Sequence, residues 1–258
     1  MLNFRETGDS VLLDLESETG RSQVAVAATS AEIFSVLDHA HETLLHPNEV
    51  TYYRSLGFQK RKKDFLIGRF AAKRALGHFL AGCDYSRIDI SPGVFQQPIV
   101  WSPFCDRVSV SISHSNGIAL ALAHSDGHPM GIDAEAIIPS RIDVLASEMT
   151  EREKELLDAD RAERLDCYTH AWTAKEALSK ALRCGLACRF EILEISSLKK
   201  AGPAREGRFT NFVQYKFFCW EIDRFSISIV VPSTTAIETS LVRLRELFSA
   251  VTNRPIYE

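Results

Sequence analysis

The sequence predicts an α+β protein built from two related halves, residues 1–128 and 129–258. Three observations support this fold class. The 258 residues are 45% hydrophobic and 25% charged, an ordinary globular composition with enough length for one large core or two smaller ones. Helical segments are interleaved with strand-like segments that suggest antiparallel pairing. Part of the first half also recurs in the second half at a fixed spacing.

The internal repeat is centred on an alanine-rich helix. A shift of 102 residues aligns residues 65–80 with residues 167–182, and five of these sixteen positions are identical. The same shift aligns Glu49 with Glu151. Alanine-rich helices can match by chance, but flanking matches at the same spacing favour two related halves. Because no low-complexity linker separates the halves, we expect them to pack tightly together.

The remaining elements follow in order along the chain. A shorter helix precedes the repeat helix in each half, near residues 46–50 and within residues 147–157. Strands bounded by turn-forming residues are predicted at residues 86–94, 108–115, 117–125, 128–135, 190–196, 211–222 and 225–232. Residues 201–208 are predicted to form a loop between strands. The first 30 residues and those after Thr234 carry no motif that assigns them a role.

The composition argues against several kinds of protein. A net charge of −4 disfavours a general nucleic-acid binder. No window approaches the roughly 18 apolar residues of a membrane helix, and the first residues lack the order of a secretory signal, so we expect a cytoplasmic protein with no membrane partner. The six cysteines are scattered and expected to be reduced. Cys184 and Cys188 lack the second pair or nearby histidines that a zinc site needs.

Three acidic residues carry the strongest chemical signal. Asp133 and Glu135 are one residue apart at a predicted strand end, so they share a face and repel each other unless a cation or solvent separates them. Glu176 lies on the repeat helix, in one stripe with Trp172 and Lys180. An adjacent stripe is small and apolar and suits packing: Ala171, Ala174, Leu178 and Ala181. Carboxylates from two rigid elements suit an open Mg²⁺ site.

Each signal also has a plainer interpretation. Glu176 and Lys180 have the spacing of a surface ion pair, and Asp133 with Glu135 would suit an ordinary acidic strand end. His114 would serve equally well as a turn histidine bonded to the backbone, and the basic run at residues 60–63 as a solvated face. The combination of these residues, rather than any one of them, points to chemistry.

Three motifs resemble those of a known family. Residues 111–115 (SISHS), 130–135 (MGIDAE) and 172–186 (WTAKEALSKALRCGL) are similar, in order and approximate spacing, to the signature of the 4′-phosphopantetheinyl transferases. The length and the internal duplication resemble the larger, surfactin-type class, in which two similar α+β halves fold as a pseudo-dimer. The resemblance extends over roughly residues 45–195.

The resemblance implies an activity, a metal and two partners. Such an enzyme, a holo-[acyl-carrier-protein] synthase, moves 4′-phosphopantetheine from coenzyme A to a serine of an acyl or peptidyl carrier protein and releases adenosine 3′,5′-bisphosphate. It implies that Asp133, Glu135 and Glu176 converge on one Mg²⁺ ion, or on Mn²⁺ in its place. Glu176 and Lys180 would be catalytic, with Glu176 accepting the serine proton and Lys180 offsetting charge on the leaving group. A monomer is expected.

The coenzyme A site is implied by the same resemblance. The implied contacts are Ser113, His114, Arg69, Arg61, Lys175 and Lys180. For Lys175 a structural ion pair is the alternative role. The family commonly has Gly-Lys-Pro where this chain has Gln96-Gln97-Pro98, so a cationic contact to the nucleotide is missing or is supplied elsewhere.

Two other classes of protein stay open. A non-catalytic carrier-binding scaffold would keep the fold and lose the chemistry, but the acidic residues and Lys180 are intact. A different Mg²⁺-dependent phosphotransfer enzyme or a nuclease is the second alternative. The sequence has no glycine-rich phosphate loop, which disfavours a nucleotide kinase. A nuclease would cleave DNA without inhibition by coenzyme A.

Overall fold

The structure is a computed structural model that describes residues 9–18, 20–80, 82–104, 107–159 and 164–252. The strands are β1 Asp9–Ser17, β2 Gly20–Ser30, β3 Asp89–Pro92, β4 Pro98–Trp101, β5 Val108–Ser115, β6 Ile118–Ser125, β7 Gly131–Ala136, β8 Ile195–Ala201, β9 Ala204–Phe209, β10 Tyr215–Ile222 and β11 Phe225–Pro232. The helices are α1 Phe34–His39, α2 His41–Leu44, α3 Pro47–Ser55, α4 Gln59–Leu76, α5 Ile142–Ser147, α6 Glu151–Leu157, α7 Arg164–Ala181 and α8 Leu241–Thr252.

The strands form two main sheets, and neighbouring strands are antiparallel throughout. The first sheet has the order β1-β2-β6-β5 and the second has the order β7-β11-β10-β9-β8. Strands β3 and β4 form a separate hairpin. Helices that pack beside antiparallel sheets confirm the predicted α+β class.

A shared apolar core lies between the two sheets. Side chains of β6 such as Leu120 and Leu122 meet side chains of β11 such as Ile227 and Ile229 in one cluster. The alternate side chains of each sheet face a helix instead, because successive residues of a strand point to opposite faces. Helix α4 covers the outer face of the first sheet, and α7 covers that of the second. The resulting layer order is α4, first sheet, second sheet, α7.

A buried lysine–glutamate ion pair supports each long helix. Lys73 of α4 pairs with Glu49, and Lys175 of α7 pairs with Glu153 at 2.7 Å. Both glutamates close a capping box at the start of a short helix. The structural counterpart of Glu49 is therefore Glu153, and not Glu151, with which the shift of 102 residues aligns it. The difference arises because glutamate and lysine are 24 residues apart in the first half and 22 in the second.

The chain segments without sequence motifs complete the shared core. Strands β1 and β2 form a hairpin whose inward residues include Leu13 and Val26. Helix α8 packs on β1 and β2 of the first sheet and on β10 of the second, and it buries Leu244 and Phe248 completely. Residues 9–18, 20–30 and 235–252 therefore join the two sheets through one core.

Several predicted segments differ from the structure. The strands expected at residues 86–94 and 211–222 are shorter, since residues 85–87 form a 3₁₀ turn and β10 begins only at Tyr215. The strand expected at residues 190–196 begins only at Ile195, because residues 190–193 form a 3₁₀ turn. The loop expected at residues 201–208 is confined to a short turn, and β9 follows it. Strand β9 pairs with β8 and β10. The Phe217 ring occupies the space where a side chain at Gly207 would lie. Two paired neighbours outweigh the low strand propensity of glycine and charged residues.

The cysteines and the helices can be compared with the expectations of reduced thiols and of no membrane helix. Five cysteines in the described part of the chain carry free thiols: Cys83, Cys167, Cys184, Cys188 and Cys219. Cys105 lies outside the described residues. None of the helices in the described ranges is long and apolar enough to cross a membrane.

Candidate active site

Two edge strands meet at the candidate site. Strand β5 is the edge of the first sheet, and β7 is the edge of the second. The even-numbered residues of β5 face α4, where Val110 is in the core and His114 lines a cavity. The odd-numbered serines face β7. A single strand therefore carries polar groups to two different places because its side chains alternate.

Asp133 is the most enclosed acid of the site. Its Oδ1 accepts hydrogen bonds from Ser113 Oγ at 2.7 Å and from Lys180 Nζ at 2.6 Å. Its Oδ2 is buried and has no hydrogen-bond partner among the described residues. A buried carboxylate oxygen without a partner is costly, which makes it a candidate ligand atom for a cation.

Glu135 lies two residues further along β7, on the same face. Its Oε2 accepts hydrogen bonds from Ser115 Oγ and from Arg141 Nη1, both at 3.1 Å. Burial raises the pKa of Glu135, and the charge of Asp133 raises it further, while Arg141 and Ser115 act in the opposite direction. The charge of Asp133 therefore opposes the ionisation of Glu135, as the sequence spacing predicts.

Glu176 approaches the two strand acids from α7. Burial raises its pKa to about 7, with the charge of Asp133 as the second cause and Lys180 acting against both. The Glu176 carboxylate has no hydrogen bond or ion pair to any residue in the described ranges. The predicted stripes of α7 are confirmed, because Trp172, Glu176 and Lys180 are half-buried while Ala171, Ala174, Leu178 and Ala181 are buried.

The three carboxylates do not form a closed ligand cluster in this conformation. Within the described ranges no group of three or more His, Cys, Asp or Glu side chains is arranged to hold one metal ion. The expected convergence on one cation is therefore not seen. Lys180 and Arg141 each bind one strand acid, and the negative charges repel one another. The donor chemistry still fits a hard divalent ion, since hard oxygens and the partnerless Asp133 Oδ2 lie on neighbouring elements.

A cavity of about 600 Å³ lies on the α4 side of β5. Its lining includes three predicted coenzyme A contacts: Arg61, Arg69 and His114. Arg69 is held in place by Glu49 at 2.9 Å and by the carbonyl oxygen of Ile90 at 3.0 Å. The walls are partly aromatic and apolar, and the charged lining holds the carboxylates of Glu49, Asp64 and Asp89 as well as the two arginines. Arg61 and Arg69 would therefore have to supply the contacts to an anionic ligand.

The other three predicted contacts, Ser113, Lys175 and Lys180, do not line this cavity. Ser113 is buried and points to Asp133, because it is one residue from His114 and so lies on the opposite face of β5. The Lys175 ammonium is completely buried and pairs with Glu153, so the structure supports the ion-pair alternative and leaves no path to a phosphate. Lys180 lies at the acids, where it also donates to the carbonyl oxygen of Ile132 at 3.2 Å.

The turn before β4 and the first residue of β4 form Gln96-Gln97-Pro98, where the family commonly has Gly-Lys-Pro. Gln96 lines the cavity with φ of 64°, a conformation that glycine adopts without strain. The side chain of Gln97 turns back to the loop, where its Oε1 accepts a hydrogen bond from the backbone N–H of Phe95 at 2.9 Å. Gln97 is therefore occupied locally and does not replace a cationic contact, which leaves that charge to Arg61 and Arg69.

Sequence reasoning missed two residues of the site. Ser115 and Arg141 both contact Glu135. The signal for Ser115 was present, since serines alternate at positions 109, 111, 113 and 115. Arg141 lies six residues after Glu135 and carries no comparable pattern, because a 3₁₀ turn after β7 brings it back.

Comparisons with known proteins agree on one superfamily. Residues 129–230 match the family model of the 4′-phosphopantetheinyl transferase superfamily, and residues 57–124 match that of the 4′-phosphopantetheinyl transferase N-terminal domain. A holo-[acyl-carrier-protein] synthase from Exiguobacterium is 37% identical over 75 residues, which cover 26% of this chain and 62% of the relative. The matched part thus spans less than two thirds of that relative. A holo-[acyl-carrier-protein] synthase from Anoxybacillus flavithermus is 38% identical over 86 residues, which cover 31% of this chain and 71% of the relative.

Solved structures show a weaker likeness. A holo-(acyl-carrier-protein) synthase from Bacillus anthracis, in complex with CoA (3′,5′-ADP), has a TM-score of 0.37 and 23% identity and covers 44% of this chain and 97% of its own. The Helicobacter pylori synthase in complex with coenzyme A has a TM-score of 0.33 and 21% identity and covers 40% of this chain and 99% of its own. Scores this low carry no argument about the site. The two family models, by contrast, match strands of each sheet. One includes His114, and the other includes the three acids with Lys180. The chain belongs to the 4′-phosphopantetheinyl transferase superfamily.

Proposed function

We propose that this chain transfers 4′-phosphopantetheine from coenzyme A to a serine hydroxyl of an acyl or peptidyl carrier protein and releases adenosine 3′,5′-bisphosphate. One observation carries the proposal. The cavity with Arg61 and Arg69 lies on one face of strand β5, and the acids lie on the other, with His114 on the first face and Ser113 on the second. A nucleotide anchored in the cavity would extend its pyrophosphate past the strand end to the acids.

The reaction is a phosphoryl transfer. The serine oxygen of the carrier forms a bond to a phosphorus of the pyrophosphate, and the bond from that phosphorus to the bisphosphate oxygen breaks. Because this needs no covalent enzyme intermediate, catalysis rests on positioning and charge neutralisation. Asp133, Glu135 and Glu176 would hold Mg²⁺, or Mn²⁺ in its place, which supplies charge neutralisation at the pyrophosphate.

The protein side chains divide the remaining tasks. Lys180 offsets negative charge at the leaving bisphosphate from its position beside Asp133. Glu176 accepts the serine proton directly or through water. Arg61, Arg69 and His114 bind the phosphates of coenzyme A in the cavity.

The organisation of the chain is also part of the proposal. Residues 1–128 and 129–258 are proposed to be related halves of a pseudo-dimer of the larger, surfactin-type class. Support comes from the two buried lysine–glutamate pairs and from the two capping boxes, which occupy corresponding places beside α4 and α7. A monomeric state and a cytoplasmic location remain expectations from the sequence.

The direct experiment is a carrier-modification assay. Incubation with coenzyme A, Mg²⁺ and an apo carrier protein is expected to raise the carrier's mass by one phosphopantetheine unit, as measured by mass spectrometry. Asp133→Ala should abolish the gain because it removes the buried carboxylate, whereas Asp14→Ala, on an exposed site of β1, should not. EDTA should stop the reaction, and Mg²⁺ or Mn²⁺ should restore it. An absence of transfer to fatty-acid, polyketide and peptide carriers alike would favour the scaffold alternative.

A further inference from the structure

Between β5 and β7, side-chain hydroxyls of three serines take the place of the backbone-to-backbone hydrogen bonds that usually join paired strands. The Oγ atoms of Ser111, Ser113 and Ser115, here called the serine row, accept hydrogen bonds from backbone N–H groups of β7. These donors are Ile132 at 3.1 Å, Ala134 at 3.1 Å and Ala136 at 3.2 Å. Both strands are sheet edges, whose open N–H groups need partners. The serine row therefore joins the two sheets through side chains.

The members of the serine row differ in what they donate to. Ser111 donates to the carbonyl oxygen of Ile132 at 3.4 Å. Ser113 donates to Asp133 Oδ1 at 2.7 Å, and Ser115 donates to Glu135 Oε2 at 3.1 Å. A hydroxyl has one proton, and with the backbone N–H already bound to the oxygen, that proton is directed at the carboxylate. Two hydroxyls of the first sheet thus determine the orientation of two acids on the second.

A basic side chain strengthens the orientation of each acid. Asp133 Oδ1 also accepts from Lys180 and Glu135 Oε2 also accepts from Arg141, so one oxygen of each acid is held by two donors. The Asp133 Oδ2 atom is left buried without a partner in the described part of the chain. Partners that hold one atom of a ligating side chain determine the direction of the other, which is how outer contacts tune metal sites.

We propose that Ser113 and Ser115 are positioning residues that orient the Asp133 and Glu135 carboxylates for a divalent cation, in register with the cavity on the other face of β5. The inference rests on the proposed function, because it names how that same site is assembled. It gives Ser113 a role different from the coenzyme A contact that the resemblance implies. Ser115 receives a role where sequence reasoning assigned none.

The test is Mn²⁺ binding to the full-length protein, measured by isothermal titration calorimetry and by the electron paramagnetic resonance signal of free Mn²⁺. Ser113→Ala and Ser115→Ala are expected to weaken binding by about 10- to 100-fold. Ser111→Ala is the matched control, because it loses the same kind of bond to a backbone N–H but contacts no carboxylate. It should keep wild-type affinity. Ser115→Thr should restore binding because it keeps the hydroxyl.

Thermal unfolding and carrier modification are measured on the same samples. If all three alanine variants lose comparable stability and bind Mn²⁺ equally well, the serine row is structural and the proposal is overturned. Wild-type protein that binds no Mn²⁺ overturns it as well. Serine-dependent Mn²⁺ binding without any carrier modification supports the positioning role and contradicts the proposed function.

Discussion

Glu176 combines two demands that a single carboxyl rarely meets. It lies near the Asp133–Lys180 ion pair, and burial with the Asp133 charge raises its pKa to about 7. A group with such a pKa takes up a proton readily at neutral pH, which suits a general base. The same repulsion favours a bound cation, since a cation lowers the energy of all three ionised acids. A bound cation would lower the pKa of Glu176, so the value of about 7 belongs to the metal-free site, and metal binding and proton uptake at Glu176 compete.

The Glu176 environment predicts a pH-dependent stability. Its carboxyl has a pKa of 4.5 when unperturbed and about 7 in the folded protein. Between these values the folded state holds more protons than the unfolded state, so the free energy of unfolding falls as pH rises through this window. In EDTA, Glu176→Gln should be more stable than wild type by about 1–3 kcal/mol at pH 8, after allowance for partial exposure, and should show no gain at pH 4.

Urea unfolding at a series of pH values measures this difference. The gain of Glu176→Gln over wild type should grow from pH 5 to pH 7 and level off above it. A gain that is the same at every pH would mean that the substitution acts through packing and not through ionisation.

At the scale of elements, the contact of α7 with β7 brings the acids together. Gly131 begins β7, and a Cβ atom at this position would lie 1.9 Å from the carbonyl oxygen of Ala177. The missing side chain lets the helix backbone touch the strand. Glu176 is the neighbour of Ala177, so this approach places the helix acid beside the strand acids.

Gly131→Ala is expected to destabilise the protein by about 1–3 kcal/mol or more, because the helix must move away from the strand. The carrier-modification rate should fall more than the folded fraction does, since the shift also separates Glu176 from Asp133. Gly127→Ala is the control, because its nearest neighbour would be Ser125 Oγ at 3.9 Å. Wild-type rate and stability in Gly131→Ala would contradict the close approach. Urea unfolding and the carrier assay provide the two measurements.

At the scale of the whole molecule, the two sheets share one core. Residues from both sheets and from α8 belong to a single cluster, and α8 contacts strands of each sheet. Neither sheet can bury its inner face without the other, so we expect the two sheets to unfold as one unit.

Phe248→Ala tests this cooperativity. The ring is fully buried in α8 and packs edge-on against Trp220, so its removal is expected to cost about 3–5 kcal/mol. Hydrogen exchange in β6 of the first sheet and in β11 of the second should accelerate together. Val242→Ala, on the exposed side of the same helix with 56% of the residue accessible, should have little effect. Protection that is lost in β11 and retained in β6 would show two separate units.

The sequence by itself determined the features that leave a local pattern. Spacing of four placed Trp172, Glu176 and Lys180 on one partly exposed stripe of α7. Turn-forming residues at the ends of strand-like segments identified the strands that carry His114, Asp133 and Glu135, and the resemblance of three motifs identified the superfamily. These features depend on residues close together in the chain, so the amino-acid sequence shows them directly.

Tertiary structure alone decided which partners those residues meet. Lys175 pairs with Glu153 instead of a phosphate, Ser113 faces an acid instead of the cavity, and Gln97 bonds its own turn. The two terminal segments close the core between the sheets, although no motif marks them. Contacts between residues far apart in the chain depend on how whole elements pack. Packing produces no periodic pattern in the sequence, so the sequence cannot identify the partner of a given residue.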